Sequence, residues 1–214
     1  MEPQLIDSPG ADARSLRLAG RLLAGAATFF FLAFLFAFFY LRSLDENHMW
    51  RPAHLKPDHT LGAVVVACVI ASALLALVGG AQMRRRHSRL WVAAVSGSLL
   101  LGLAAVAVQC VQYTVQHFGP TGGGYASVFY GWTALYMVAV LGAMYWLETQ
   151  LAGALRARRL MHAGAHPDGA DPGGTHLDRT DPDAQIAPAL DAAVFFWTYL
   201  AGLGVVMWVT LYLV

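Results

Sequence analysis

Apolar residues along this chain are gathered into five long stretches with no charged position inside them. They run over Leu22–Leu41, Leu61–Ala81, Leu90–Val111, Tyr125–Leu147 and Ala192–Val214. A helix of about 20 apolar residues crosses the hydrocarbon core of a bilayer, and each stretch meets that length. The short alternating strands of a membrane barrel are not seen in the pattern. The sequence therefore predicts an all-α integral membrane helix bundle with five transmembrane helices.

The composition agrees with that prediction. Of the 214 residues, 57% are hydrophobic and only 13% are charged, whereas a soluble domain carries about 25% charged residues. Helices that pack on the core of a soluble protein would also show a polar stripe on the side that faces water, and these stretches lack one. The two cysteines, Cys68 and Cys110, lie inside apolar stretches, so we expect free thiols. No nucleic-acid partner is expected.

Basic residues flank some ends of the stretches and are scarce at the others. They precede the first stretch, fill the loop between the second and third, and follow the fourth: Arg14, Arg17, Arg21, Arg84, Arg85, Arg86, Arg89, Arg156, Arg158 and Arg159. The loop QYTVQHFGPTGGG, before the fourth stretch, has no lysine or arginine. The positive-inside rule thus predicts a cytoplasmic N-terminus and an outside C-terminus. We expect lipid headgroup contacts from the arginines of the second loop, which are Arg84, Arg85, Arg86 and Arg89.

Composition divides the chain into four parts. We predict a cytoplasmic tail over 1–21, four transmembrane helices within 22–160, a flexible cytoplasmic linker over 161–190 and a fifth helix over 191–214. The linker is rich in Gly, Pro, Asp and His, so it cannot bury enough apolar surface to order itself. A weak metal site at His162 and His166 is the alternative, but the nearby glycines and prolines disfavour the helix that this pair would need.

No Asp, Glu, Lys, Arg or His side chain lies inside any of the five stretches. All eight histidines fall in loops or in the linker, whereas haem or copper in the membrane would need ligands held inside the bundle. Intramembrane acids and bases usually mark proton relays and ion pathways. We therefore expect this chain to contribute no catalytic, cofactor-binding or metal-binding residue.

The polar residues that remain inside the stretches are neutral. Gln109 and Gln112 are three residues apart on one face of a helix, and Thr133 and Tyr136 lie in the fourth stretch. In lipid such groups form interhelical hydrogen bonds worth about 0.6–2 kcal/mol each. An associated subunit, a scaffold or a lipid-binding bundle is the expected role. A transporter of small solutes stays open as an alternative from another class.

Four segments give the chain a family resemblance. The end of the first stretch, FLFAFFYLRS, resembles the close of a characteristic helix in subunit III of haem–copper (cytochrome c) oxidases. The third stretch, GLAAVAVQCVQY, is similar to that family's glutamine- and tyrosine-bearing helix. YASVFYGWTALYMVAVLGA and AAVFFWTYLAGLGVVMWVTLYLV resemble its last two helices. The order and spacing fit the shorter bacterial form with five spans.

The chain also departs from the family pattern at every intramembrane ionisable position. The family's two glutamates fall at Ala27 and Gln112, and the histidines of its fourth span fall at Tyr136 and Ala139. The His and Asp of its last span fall at Thr198 and Ala201. The matching positions are Arg42, Gln109, Tyr113, Thr133 and Trp197. Any role of the family that relies on those carboxylates cannot be carried over to this chain.

The resemblance implies a non-catalytic subunit III of a bacterial respiratory oxidase, in the bacterial cytoplasmic membrane. Such a subunit packs on catalytic subunit I, with subunit II a further expected partner, and encloses phospholipid. Haem and copper belong to the partner. The expected interhelical or partner-facing contacts are Gln109, Gln112, Tyr113, Thr133, Tyr136 and Trp197. A subunit-III-like accessory protein of a nitric oxide reductase is the close alternative.

Overall fold

Five long helices build the protein, and a computed structural model describes residues 9–45, 50–51, 55–85, 88–163 and 182–214. The helices are α1 (Pro9–Ser43), α2 (His59–Arg84), α3 (Ser88–Val115), α4 (Gly124–Ala163) and α5 (Pro182–Trp208), and α5 runs into a π-helical turn, Val209–Leu213. The described ranges contain no β-strand. Each helix contains a segment long and apolar enough to cross a membrane. A helix suits that setting because it pairs its own backbone groups, for which lipid offers no partners. The predicted all-α class is confirmed, and so are five helices long and apolar enough to span a membrane.

Helix α5 is the centre of the bundle because it touches all four other helices. Ala192 lies against Gly20 of α1, and Val194 Cγ2 lies 3.9 Å from a Cβ built on Gly80 of α2. Trp197 packs on Gly102 of α3. The Tyr136 hydroxyl of α4 donates a hydrogen bond to the Leu200 carbonyl of α5. These pairings make α1 and α3 parallel to α5, and α2 and α4 antiparallel to it.

The bundle therefore has two distinct ends. We call the end that carries Arg42, Asp58 and Tyr212 the distal end, and the end that carries Arg21, Arg84 and Asp191 the proximal end. At the distal end, Asp58 caps α2: one carboxylate oxygen accepts hydrogen bonds from the Thr60 amide at 2.7 Å and the Leu61 amide at 3.2 Å. Such a cap satisfies amides that the first helical turn leaves unpaired.

Helices α2 and α3 form a tight antiparallel hairpin. A Cβ on Gly79 of α2 would lie 2.8 Å from Val95 Cγ2, and one on Gly97 of α3 would lie 3.2 Å from Leu75 Cδ1. Small residues at such contacts let helix backbones approach closely in lipid, where no hydrophobic force drives helices together. The short loop after Arg84 and these glycines explain why this pair is the most extensive in the bundle.

Helical structure enters the predicted linker from both sides. Helix α4 continues to Ala163, and α5 begins at Pro182 rather than at 191. Proline is well accommodated in the first turn of a helix because its missing amide would have no partner there. The average composition of 161–190 does not reveal that a helix begins at Pro182. Residues 164–181, which include His166, lie outside the described part of the chain.

Candidate functional site

A chain of buried amides and hydroxyls joins three helices at the distal end; we call it the glutamine network. Gln109 Nε2 donates to Gln112 Oε1 at 3.1 Å, and Gln112 Nε2 donates to the Tyr212 hydroxyl at 2.6 Å. The same Gln112 nitrogen lies 3.2 Å from the Asp58 carbonyl oxygen. Both glutamines are almost completely buried. The network therefore ties α3 to the end of α5 and to the start of α2.

A second link joins α3 to α4. The Tyr113 hydroxyl donates to Thr133 Oγ1 at 2.7 Å, and Thr133 Oγ1 in turn donates to the Phe129 carbonyl at 2.7 Å. Thr133 is buried, whereas Tyr113 is half-buried. A hydroxyl pair of this kind orients two helices about each other, because hydrocarbon would offer the Tyr113 hydroxyl no other partner of this kind.

Replacing Tyr113 with phenylalanine should remove the hydroxyl of this link and keep the ring. We expect the free energy of unfolding to fall by about 0.6 kcal/mol, and by no more than about 1.7 kcal/mol, as for interhelical hydrogen bonds in lipid. Titration of the reconstituted chain with a denaturing detergent, followed by tryptophan fluorescence, would measure the change. The matched control is Tyr145→Phe, because Tyr145 lies in α4, the helix of Thr133, but is 70% exposed. Equal losses in the two variants would contradict a role for the Tyr113–Thr133 bond.

Trp197 anchors α5 to the hairpin of α2 and α3. Its indole Nε1 donates to Ser72 Oγ at 3.0 Å, and Ser72 Oγ donates to the Ser98 carbonyl at 2.6 Å. Trp197, Ser72 and Ser98 are all buried, and a Cβ on Gly102 would lie 3.1 Å from the Trp197 ring. We call these four residues the Trp197 cluster. Ser72 was missed from the sequence, although a serine inside an apolar stretch signals a buried hydrogen bond.

The remaining predicted contact, Tyr136, lies deeper between α4 and α5. Its hydroxyl donates to the Leu200 carbonyl at 3.1 Å, and its side chain is fully buried. Close to the same depth, Thr28 of α1 and Tyr199 of α5 share a hydrogen bond between their hydroxyls. No pattern in the sequence marked Thr28 as a contact. Neutral polar groups therefore join α5 to α1 and to α4 as well as to the hairpin.

An apolar groove opens on the other side of the bundle, between α1, α4 and α5. Its volume is about 420 Å³. Its lining residues are apolar or aromatic: Leu23, Ala26, Ala27, Phe30, Phe31, Leu135, Ala139, Gly142, Ala143, Trp146 and Phe196. Ala27 and Ala139, two positions at which the resemblance expects ionisable groups, both line this groove. A concave apolar surface of this size can hold an acyl chain or an apolar side chain of another subunit.

The predicted headgroup arginines are only partly described. The Arg84 guanidinium forms an ion pair with the Asp191 carboxylate, with 3.0 Å between Nη2 and Oδ1. Arg85 is exposed, and its backbone amide donates to the Ala81 carbonyl. Arg86 lies outside the described residues, as does the side chain of Arg89. Asp191, which sequence analysis did not pair with any arginine, therefore shapes the charge at the proximal end.

The polar groups described above are suited to joining helices through hydrogen bonds. The polar side chains in the glutamine network, the Tyr113–Thr133 link and the Trp197 cluster are amides, hydroxyls and an indole, which exchange hydrogen bonds between helices. Within the described ranges, no three His, Cys, Asp or Glu residues lie close enough to hold a metal ion together. A comparison of the sequence with protein-family models gives no match, and a comparison with curated proteins gives none either.

Proposed function

We propose that this chain is a non-catalytic membrane subunit of the subunit III type, which packs on the catalytic subunit of a bacterial respiratory haem–copper oxidase. In this proposal it lies in the bacterial cytoplasmic membrane with its N-terminus in the cytoplasm and its C-terminus outside. Catalytic subunit I, and also subunit II, are its protein partners. Haem and copper are held by the partner, and the chain supports aerobic electron transport through packing and lipid binding.

One observation carries the proposal. Ala27, which is reached by counting back from Arg42, and Ala139 of the third segment both line the apolar groove. Two of the six aligned ionisable positions, on helices far apart in the sequence, therefore meet in one groove. Their convergence supports the alignment. Replacement of both by alanine leaves an apolar surface, which suits lipid or another subunit rather than proton transfer.

The exposed surface next to the groove offers a face for a partner. Only 17% of the most apolar part of α1 is buried, against 50% for α5. Of the phenylalanine run in α1, Phe31 and Phe38 are buried, whereas Phe29, Phe30 and Phe36 are exposed. Large aromatic side chains contribute strongly to contact surfaces because they present much area at low entropy cost. We assign the partner contact to this face of α1 and to the groove beside it.

The apolar groove bears on the two alternatives in different ways. A small-solute transporter needs polar groups along its pathway, and the groove offers none. A subunit-III-like accessory protein of a nitric oxide reductase remains a second candidate. The absence of carboxylates at Ala27 and Gln112 favours it, because such a partner need not take protons from the cytoplasm.

Purification of a tagged full-length chain from its own membranes in a mild detergent tests the proposal. We expect the visible spectrum of haem in the eluate, and mass spectrometry should identify a histidine-rich catalytic chain. Identification of that chain as an oxidase or a nitric oxide reductase separates the two candidates. A colourless preparation of this protein alone, at full yield and with intact fold, would overturn both.

A photoreactive amino acid in place of Phe30 tests the assigned face. Phe30 lines the groove and is 63% exposed, so we expect a crosslink to the catalytic chain. The matched control is Leu74 of α2, which is 58% exposed on another helix. A crosslink from position 74 and none from position 30 would show that the partner binds elsewhere.

A further inference from the structure

A small groove at the proximal end brings together basic residues from two helices. It has a volume of about 180 Å³ and is lined by Arg17, Arg21, Arg84, Asp191, Ala192 and Phe195. Arg17 and Arg21 lie on α1, Arg84 ends α2, and the other three lie on α5. We call it the arginine groove. It lies apart from the apolar groove, with which it shares no lining residue.

The arginine groove carries unbalanced positive charge. Three guanidinium groups face one carboxylate, that of Asp191, which pairs with Arg84 at 3.0 Å. Within the described part of the chain, no hydrogen bond or ion pair engages Arg17 or Arg21. These two arginines are four residues apart on one face of α1, where like charges destabilise a helix. An anion between them would relieve that repulsion.

The donors are suited to a phosphate group. Each guanidinium presents five N–H groups in a planar fork that matches phosphate oxygens. Asp191 holds Arg84 through one nitrogen, so the remaining N–H groups of Arg84 are available. The groove wall is built on the contact between Gly20 and Ala192, where a Cβ on Gly20 would lie 3.5 Å from Ala192 Cβ. That close contact holds α1 and α5 at a set separation.

The surroundings indicate that the phosphate belongs to a lipid. Phe195, one turn along α5 from Asp191, is 47% exposed beside the arginines. The side chains Leu18 and Leu22 of α1 are also exposed. A bound headgroup would therefore have apolar surface directly beside it for its acyl chains. Basic residues at this level of a membrane attract anionic lipids.

We propose that the arginine groove is a specific site for the phosphodiester of an anionic phospholipid. Arg17, Arg21 and Arg84 would hold the phosphate, and the Asp191 carboxylate would offset part of their positive charge. This site deepens the lipid-binding part of the proposed function and rests on it in that respect alone, since the site needs no partner subunit. The Asp191–Arg84 ion pair joins α5 to α2. A phosphate bound by Arg84 and by Arg17 and Arg21 would link α1 to the same two helices. The lipid thus acts as a bridge across the proximal ends of three helices.

Binding of phosphatidylglycerol to the full-length chain in neutral-lipid nanodiscs tests this proposal. We expect the double variant Arg17→Gln/Arg21→Gln to bind it more than about tenfold more weakly, because one charge-assisted hydrogen bond to phosphate is by itself worth about 1.5–3 kcal/mol. The matched control is Arg156→Gln/Arg159→Gln, which removes the same charge from exposed positions on α4. We expect its affinity to stay within about threefold of the unmodified chain, since losses from diffuse charge are screened within a Debye length.

Three outcomes would overturn the proposal. Equal losses in the two double variants would show diffuse attraction rather than a site. Equal binding of phosphatidylcholine would show that the charge of the lipid is not recognised. Displacement of phosphatidylglycerol by inorganic phosphate at equal concentration would assign the groove to free phosphate instead of lipid. Unchanged thermal unfolding of both variants would show that the fold is intact, which their exposed positions lead us to expect.

Discussion

Replacing Trp197 with alanine is expected to lower the free energy of unfolding by about 3–5 kcal/mol, the range for large aromatic residues removed from a packed core. The indole is 1% exposed and packs against Gly102 of α3. Its Nε1 donates to Ser72 Oγ of α2 at 3.0 Å. The substitution therefore opens a cavity where α5 meets the hairpin, and it leaves a buried hydroxyl without one of its partners.

Two further variants separate packing from hydrogen bonding at this site. Trp197→Phe keeps most of the ring volume and loses the Nε1 donor, so its loss should be clearly smaller than that of Trp197→Ala. Trp146→Ala is the control for tryptophan removal, because Trp146 lines the open apolar groove, where lipid can refill the space. Detergent-denaturation midpoints in a common micelle would rank the three. A larger loss for Trp146→Ala than for Trp197→Ala would contradict the central position of α5.

Replacing Gly204 with alanine is expected to destabilise the bundle by about 1–3 kcal/mol, the usual cost of overpacking a well-filled core. An added Cβ at this position would overlap the hydroxyl and ring of Tyr136. Tyr136 is fully buried and bonded to the Leu200 carbonyl, so it has little room to move away. The clash outweighs the gain of about 1 kcal/mol that alanine has over glycine inside a helix.

Gly202 provides the control on the same helix. Among the described residues, and apart from the adjoining backbone of its own helix, no atom lies within 4 Å of a Cβ built on Gly202. Gly202→Ala should therefore be neutral or stabilising by up to about 1 kcal/mol. In the double variant Tyr136→Leu/Gly204→Ala, the shorter side chain leaves space for the new methyl group. We expect its loss to be smaller than the sum of the two single losses, since residues in contact couple. Additive losses would show that Tyr136 and Gly204 are not in contact.

Much of the architecture could be predicted from the sequence because the membrane imposes simple requirements on a chain. A continuous apolar stretch of sufficient length must form a helix in lipid to pair its backbone groups. The five stretches therefore predicted the five helices, although α4 and α5 extend into the expected linker. The close spacing of Gln109 and Gln112 on one face also indicated a shared contact, and the two side chains are hydrogen bonded. The orientation of the termini stays a prediction.

The pairing of helix faces was decided only by the tertiary structure. In a soluble protein, polar residues mark the outward face of a helix; in lipid both faces are apolar, so this signal is lost. Nothing in the sequence showed that Trp197 would reach Ser72 or that Tyr136 would pack against Gly204. Nor could spacing along the chain bring Ala27 and Ala139 into one groove, or Arg17 and Arg21 beside Arg84. By itself, the sequence determined the number of long apolar helices and the position of each apolar stretch along the chain, because length and hydrophobicity are local properties. Which side chains meet depends on how five similar surfaces fit together, and that is a property of the whole bundle.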